Sequence, residues 1–473
     1  MRYLVIKLFS IYLLLLCCTS CKKFLDIGNP HDKIAADAVY SDNSNAASVL
    51  TGIYHDLQNN LSIAQGRTGI SMIYGMTADE AVAMPGSPYV PIYQNNQYQN
   101  LWTPLYSFIY RINTALEGLS STSSNALIPG VRQQLQGEAR FLRAFCYFYL
   151  VNLYGDVPLL TKSDFKLNER AARSSQEAVY DQITTDLLEA QQLLSADYLD
   201  ADAHSKSPAG DRVRPTKLAA TALLARIYLY RGNWSSAVTQ AGMVIDNKTL
   251  YDTVPLNEVF LMNSQEAIWQ LFPVDDNGLY FNTLDGQVFV LKDIGPHGIR
   301  RPVWASTYLE NAFEDGDQRK MNWLGMNDGD PYYYFYKYKR NELFVPASEY
   351  LMVLRLAEQY LIRAEANAQL NKIPEAQADL NVIRHRAGLN DTPSSAKDAL
   401  LTAILHEREV ELFMEWGHRW FDLKRTGKLN DIMNVVTPQK GGSWRAYKQV
   451  LPIPVGDLLA NPNLKQNEGY PST

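Results

Sequence analysis

Cysteine is scarce in this 473-residue chain. There are four, and Cys17, Cys18 and Cys21 fall within the first 21 residues. Only Cys146 lies beyond them, in the helical run FLRAFCYFYLV, where it reads as a small core residue. No disulfide framework can be built from that set, even in an exported protein. Positive charge is also short. Lys and Arg number 44 against 50 Asp and Glu, a formal charge of −6. A nucleic-acid binder needs a basic stripe, so that class is excluded. No block of like charge suggests an interaction tail. Signatures of chemistry are missing as well. The seven histidines show no HExxH or paired spacing, and there is neither a phosphate-cradling glycine loop nor a GxSxG nucleophile. Asp315-Gly316-Asp317 and Asp328-Gly329-Asp330 resemble pieces of calcium loops, but the twelve-residue pattern with its closing glutamate is absent. The chain is therefore expected to hold no metal and no cofactor.

The amino terminus is explicit. Arg2 and Lys7 precede an apolar run, Leu8 to Cys18, broken only by Ser10. It is too short to span a membrane comfortably and reads as a secretory signal over residues 1–20. Small residues then stand immediately before Cys21, as in a bacterial lipobox, although Cys18 occupies the usual leucine position. The expectation is cleavage before Cys21, a lipid on its thiol, and anchoring by several acyl chains.

The composition, 46% hydrophobic and 20% charged, is that of a folded protein. In residues 349–389 Leu351, Leu354, Leu361, Ala364 and Ala368 recur at helical spacing. Asn371-Lys372-Ile373 interrupts the pattern, Pro374 suits a first turn, and Ala376, Leu380, Ile383 and Ala387 form a second face before Gly388. Ala364, Asn371 and Ala376 are separated by seven and then five residues, and so are Ala225, Gly232 and Ala237. Tetratricopeptide-type helical hairpins place small residues in that register. Further helices are expected from Asp42, Trp102, Val131 and Ser174, and over 400–429. Residues 62–100 and 251–345 break the helical pattern. The first reads as a long structured loop with Tyr74, Tyr89, Tyr93 and Tyr98. The second reads as short strands and loops around Trp304, Trp323 and the tyrosines of 332–336. Loops of that length are usually functional.

Several of these stretches together resemble the SusD/RagB family of Bacteroidetes outer-membrane lipoproteins. They are Cys21-Lys22-Lys23-Phe24-Leu25-Asp26, EARFLRAFCYFYLVNLYGDVPL, PTKLAATALLARIYLYRGNW, LAEQYLIRAEANAQL with NVIRHRAGL, ILHEREVELFMEWGHRWFDLKRTG, and VLPIPVGDLLANPNLKQNEGY. They run in family order over nearly the whole chain. The resemblance implies a mainly α fold, in which four tetratricopeptide-type helix pairs carry irregular loops and short strands that form a surface ligand site. It also implies a cell-surface lipoprotein that binds nutrients, most often glycans, and hands them to a SusC-like TonB-dependent transporter. One SusD-like domain over 21–473 is expected, with a helical part to 250, a loop-rich insertion over 251–345, and a helical part with a tail over 346–473. Asn371 departs from the usual glycine, and the helix pairs before residue 200 lack the seven-then-five spacing.

A sugar ring offers a C–H face to aromatic rings, and its hydroxyls seek amides and charged groups. Two loops have that mix. One supplies Tyr89, Tyr93, Asn95 and Asn96, and the other Tyr280, Arg300, Trp304 and Trp323. Core packing competes with ligand stacking for each of these aromatics. Trp102, at the head of an amphipathic helix, reads as structural. The tyrosines of 332–336 alternate toward Tyr338, as in a strand with one buried face. Asp79 and Glu80 could make an acid/base pair only by flanking one bond at about 5–10 Å. Chain neighbours seldom converge so, and a cap or an ion pair is expected. Glu407, Arg408, Glu409, Glu411, His418, Arg419 and Asp422 read as a structural ion-pair network. Capture of a peptide and a glycoside hydrolase are the alternative functions.

Overall fold

The computed structural model describes residues 39–58, 63–273 and 282–472. The signal segment, Cys21 and Tyr280 lie outside the described residues. The scaffold consists of α1 (Asn43–Gln58), α2 (Ile70–Thr77), α3 (Trp102–Ser121), α4 (Pro129–Tyr154), α5 (Gln176–Leu193), α6 (Lys217–Tyr230), α7 (Trp234–Ile245), α8 (Leu356–Gln369), α9 (Ile373–Arg386), α10 (Lys397–Leu412), α11 (His418–Arg425) and α12 (Leu429–Gln439). From α3 to α9 each helix packs on the next, as in a solenoid, although 110 residues separate α7 from α8 in sequence.

The small-residue register does what its spacing implies. Gly232 and Asn371 end the turns of the α6–α7 and α8–α9 hairpins at φ +69° and +59°. In that left-handed region a glycine or an asparagine is at home. Ala225, Ala237, Ala364 and Ala376 are fully buried where the paired helices meet. Side-chain caps fix the starts. Ser175 accepts from the Ala178 amide, Thr216 from Ala219 and Asn233 from Ser236. Cys146 is buried, as expected of a small core residue, and Trp102 is buried against Tyr106 and Tyr154.

Four expectations need correction. Residues Leu351–Arg355 are not the first turns of a helix but a strand, β6, antiparallel to β2 (Ala267–Leu271). Both strands are buried on both faces, so neither shows the alternation that would reveal a strand. Trp269 of β2 lies under Tyr54, Phe141 and Phe145. The single helix expected over 400–429 is two. The chain leaves the helix at Phe413–Gly417, with Met414, Trp416 and Gly417 at positive φ, to drive Glu415 and Trp416 inward. The loop over 62–100 contains α2.

The remaining strands are short. β1 (Ala81–Ala83) pairs antiparallel with β3 (Val303–Ala305), and β4 (Leu324–Gly325) with β5 (Tyr334–Phe335). Tyr334 and Phe335 are both buried, so the alternation expected through 332–338 gives way to a two-residue strand buried on both sides. Short helical turns fill the rest of the insertion.

An ionic core fastens that insertion to the scaffold. Arg355 reaches Glu266 (2.9 Å), Glu411 (2.5 Å) and Glu415 (2.8 Å). Arg319 reaches Asp317 (2.8 Å), Glu407 (2.6 Å) and Glu411 (3.0 Å). Arg408 pairs with Asp422 at 2.7 Å. All are buried, and the charged cluster read from the sequence is indeed a structural network. Removing one partner from such a pair strands a buried charge.

Candidate ligand-binding site

The β1–β3 ribbon joins the two loop regions that the sequence singles out. Its pattern is buried, half-buried, buried on each strand, with Ala81, Ala83, Val303 and Ala305 inward. Successive side chains of a strand point to opposite faces, so Val82 and its cross-strand partner Trp304 face outward together. The Trp304 ring stacks on Tyr332 with centroids 5.0 Å apart and planes 30° apart. Tyr336 stands edge-on to Tyr334 at 5.6 Å, and both join Trp304 and Tyr332 in one small cluster over Val290 and Leu291. An open depression of about 600 Å³ adjoins Tyr336, lined by Lys292, Asp293, Arg340 and Asn341 among others. Partial burial, and then the Asp330 carboxylate bonded to the Tyr332 hydroxyl, push that phenol up. Arg300 is exposed in the His297–Arg301 turn beside β3.

Downstream of β1, Tyr89 starts a short helical turn, Val90–Tyr93, and both its tyrosines are half-buried. Tyr93 lies beneath the Lys440 ammonium, 5.0 Å from the ring centroid. That ammonium caps α2 by donating to the carbonyls of Met76 (2.8 Å), Thr77 (3.3 Å) and Ala78. Burial pulls it down to about 7. Burial, with Tyr308 nearby, pushes the Tyr93 phenol up. Tyr308 follows β3 and donates to Gln439.

Two of the expected ligand residues are structural. Trp323 is fully buried and its indole N–H donates to the Leu256 carbonyl at 2.9 Å. Its ring is a wall of the ionic core, 4.8 Å from the Lys337 ammonium, so no face is left for a ligand. Asn95 is buried at φ +57°. It donates to the Thr77 carbonyl (3.0 Å) and accepts from Thr437 (3.0 Å), and its own carbonyl accepts from Lys448 (2.7 Å). It is a clamp, and it turns Asn96 outward into solvent. Trp304, Arg300, Tyr89, Tyr93 and Asn96 remain on or near the surface. Sequence reasoning misses Tyr332, Tyr336 and Tyr308. The tyrosine run at 332–336 is visible in the sequence, but which rings face out depends on the β4–β5 pairing.

The carboxylate neighbours are locked in place. Asp79 takes both Arg419 nitrogens, at 2.9 and 2.7 Å, and its own carbonyl accepts from Ser306. Glu80 is buried, and desolvation with the Asp79 charge pushes it up to about 8. Among the described residues there is no cluster suited to a metal ion. In the calcium-like fragments Asp317 is taken by Arg319, and Asp330 accepts from Asn327.

Fold and site together make a helical solenoid that displays aromatic rings on an inserted ribbon. Residues 23–229 match the SusD-like family described as starch-binding and associating with the outer membrane, and residues 305–470 match the SusD family. The chain belongs to the SusD/RagB family. A SusD-like protein of Formosa agariphila is 27% identical in an alignment covering 97% of this chain and 98% of that one. A SusD superfamily structure from Bacteroides vulgatus superposes with a TM-score of 0.77 at 22% identity, over 91% of this chain and 100% of its own. A laminarin-binding SusD-like protein superposes at 0.72 with 24% identity, over 91% and 100%. At these identities the two superpositions speak for the fold. No helix among the described residues is long and apolar enough to cross a membrane.

Proposed function

We propose that this protein captures an oligo- or polysaccharide at the cell surface and delivers it to a SusC-like TonB-dependent transporter, held at the outer membrane by a lipid on Cys21. The outward stack of Trp304 on Tyr332 carries the reading. A half-exposed aromatic pair, in one cluster with Tyr336, whose adjoining depression is lined by Lys292, Asp293 and Asn341, supports it, because ring faces beside polar groups are what a sugar ring and its hydroxyls require. Binding without cleavage is the expected activity. Asp79 is held by Arg419 and Glu80 is interior, so neither is free to act on a glycosidic bond.

Calorimetric titration of residues 22–473 against soluble starch, laminarin, other polysaccharides and peptides, with each mixture assayed for reducing ends, tests this. Binding of one glycan without cleavage, lost in Trp304→Ala, supports it. A bound peptide in place of any glycan would move the assignment to peptide capture, and released reducing ends would make the protein a hydrolase. Co-purification of the full-length lipoprotein with an outer-membrane transporter tests the delivery step.

A further inference from the structure

Residues 94–100 read QNNQYQN, six amides around one tyrosine with no charge. Asn96, Gln97, Tyr98 and Asn100 are exposed, Tyr98 to 45%. An ordinary protein surface is charged, and it seldom shows an unburied aromatic among neutral amides. The Asn95 clamp fixes this segment against the carboxy-terminal tail. Lys448 holds the Asn95 carbonyl, and the Gln94 backbone lies so close to Gly442 that a β-carbon there would sit 1.9 Å from the Gln94 oxygen.

The tail supplies two more rings to the same place. Tyr447 and Tyr470 meet edge to face with centroids 4.8 Å apart. Gly469, at φ +84°, leaves room for the Tyr447 ring to lie on its backbone; a β-carbon would stand 2.3 Å from that ring. The Tyr470 hydroxyl donates to the Val450 carbonyl at 2.9 Å. The bond from Lys448 to the Asn95 carbonyl brings the segment that carries Tyr98 to the chain beside Tyr447. Burial, with the hydroxyls of Tyr447 and Tyr98 nearby, pushes the Tyr470 phenol up. Residues 443–450 (SWRAYKQV) add Ser443, Arg445 and Gln449 and no acidic group. The core does not require Tyr98, and its neighbours are hydroxyl-seeking amides.

We infer that Tyr98, Tyr447 and Tyr470, with Asn96 and Gln97, form a second glycan subsite, separate from the Trp304–Tyr332 stack and selective for neutral sugar chains long enough to engage both. The inference rests on the glycan-capture reading. Two linked contacts on one chain multiply, because the second forms at high effective concentration. The subsite therefore adds affinity for a polymer and little for a short oligomer.

The experiment compares wild type, Tyr98→Ala and Trp304→Ala by calorimetry against laminarin and soluble starch and against laminaritetraose and maltotetraose. Tyr98 is exposed, so its removal should leave the melting temperature unchanged. The expected result is that Tyr98→Ala weakens polymer binding by about 3- to 10-fold, the scale of one aromatic contact, and leaves tetrasaccharide binding by the Trp304 site intact. Hydroxyl-radical footprinting should show the peptides bearing Tyr98 and Tyr447 protected by the polymer alone. If Trp304→Ala abolishes binding while Tyr98→Ala matches wild type on the polymer and Tyr98 stays unprotected, the second subsite is overturned and the capture reading stands. If wild type binds none of these glycans, both fall.

Discussion

Trp304 and Trp323 lie nineteen residues apart in one insertion, and their surroundings share almost nothing. Trp323 ends a helical turn, is fully buried, and faces the ammonium of Lys337 and the guanidinium groups of Arg355 and Arg386. Trp304 sits mid-strand on a two-stranded ribbon, half in solvent, against a tyrosine that the core does not need. The same side chain serves in one place as the wall of an ionic core and in the other, in the proposed reading, as a surface for a ligand. The insertion is thus divided: its inner half is bolted to the scaffold by buried charge, and its outer half carries the half-exposed rings.

The same substitution at each tryptophan should split that comparison most sharply. Trp323→Ala removes a fully buried ring beside buried cations and should cost about 3–5 kcal/mol of stability in denaturant unfolding. Molecules that remain folded should bind glycan as wild type does. Trp304→Ala should reverse the pattern, with glycan affinity falling about 10-fold or more and stability changing by about 1 kcal/mol or less. A Trp323→Ala variant that is stable but no longer binds would erase the distinction.

Asn95→Ala tests whether a clamp acts through position. Losing two buried side-chain hydrogen bonds should cost about 1–3 kcal/mol in the melting curve. Binding should weaken although Asn95 touches no ligand, and Asn95→Asp should restore part of it, since its carboxylate can still accept from Thr437.

The last effect is one of pH. Burial pushes Asp285 up to about 7, while its Oδ1 accepts from the Gly66 amide at 2.7 Å. Between about pH 4 and 7 the folded chain keeps a proton that the unfolded chain gives up, so this group lowers stability as pH rises, by about 1.4 kcal/mol per unit. Glu80 and Glu349, pushed up to about 8 and 7, tilt the same way. Asp285→Asn keeps an acceptor for Gly66 and should flatten, without abolishing, the fall in unfolding free energy between pH 5 and 7. An unchanged slope would mean that Asp285 is ionised in the fold.

The scaffold is legible in the sequence because its signal is local. Alanine, a turn residue and alanine at seven and five residues can be read within one hairpin, and Gly232 and Asn371 take the left-handed conformations that this spacing asks for. Residues 351–355 mislead for a physical reason. A strand buried on both faces carries no period of two, and its partners stand eighty or more residues away in β2. The tryptophans show the same limit. Trp304 is flanked by Val and Ala, and Trp323 by Asn and Leu, and nothing within a few residues says which will face water. That depends on β1, β4 and Lys337, which only the fold brings near. Asn95 has the chemistry of a ligand residue, and the same chemistry, two donors and an acceptor, is what a clamp uses.

The β1–β3 ribbon also has a kinetic side. Asp79 and Ser306 are 227 residues apart in sequence, and Asp79 and Arg419 are 340 apart. Contacts of such span close late, after the local hairpins have formed. The outward face of Trp304 therefore comes into being only when distant thirds of the chain have met. A molecule that presents this face has by that fact completed its folding, and a truncated or misassembled one lacks the proposed platform.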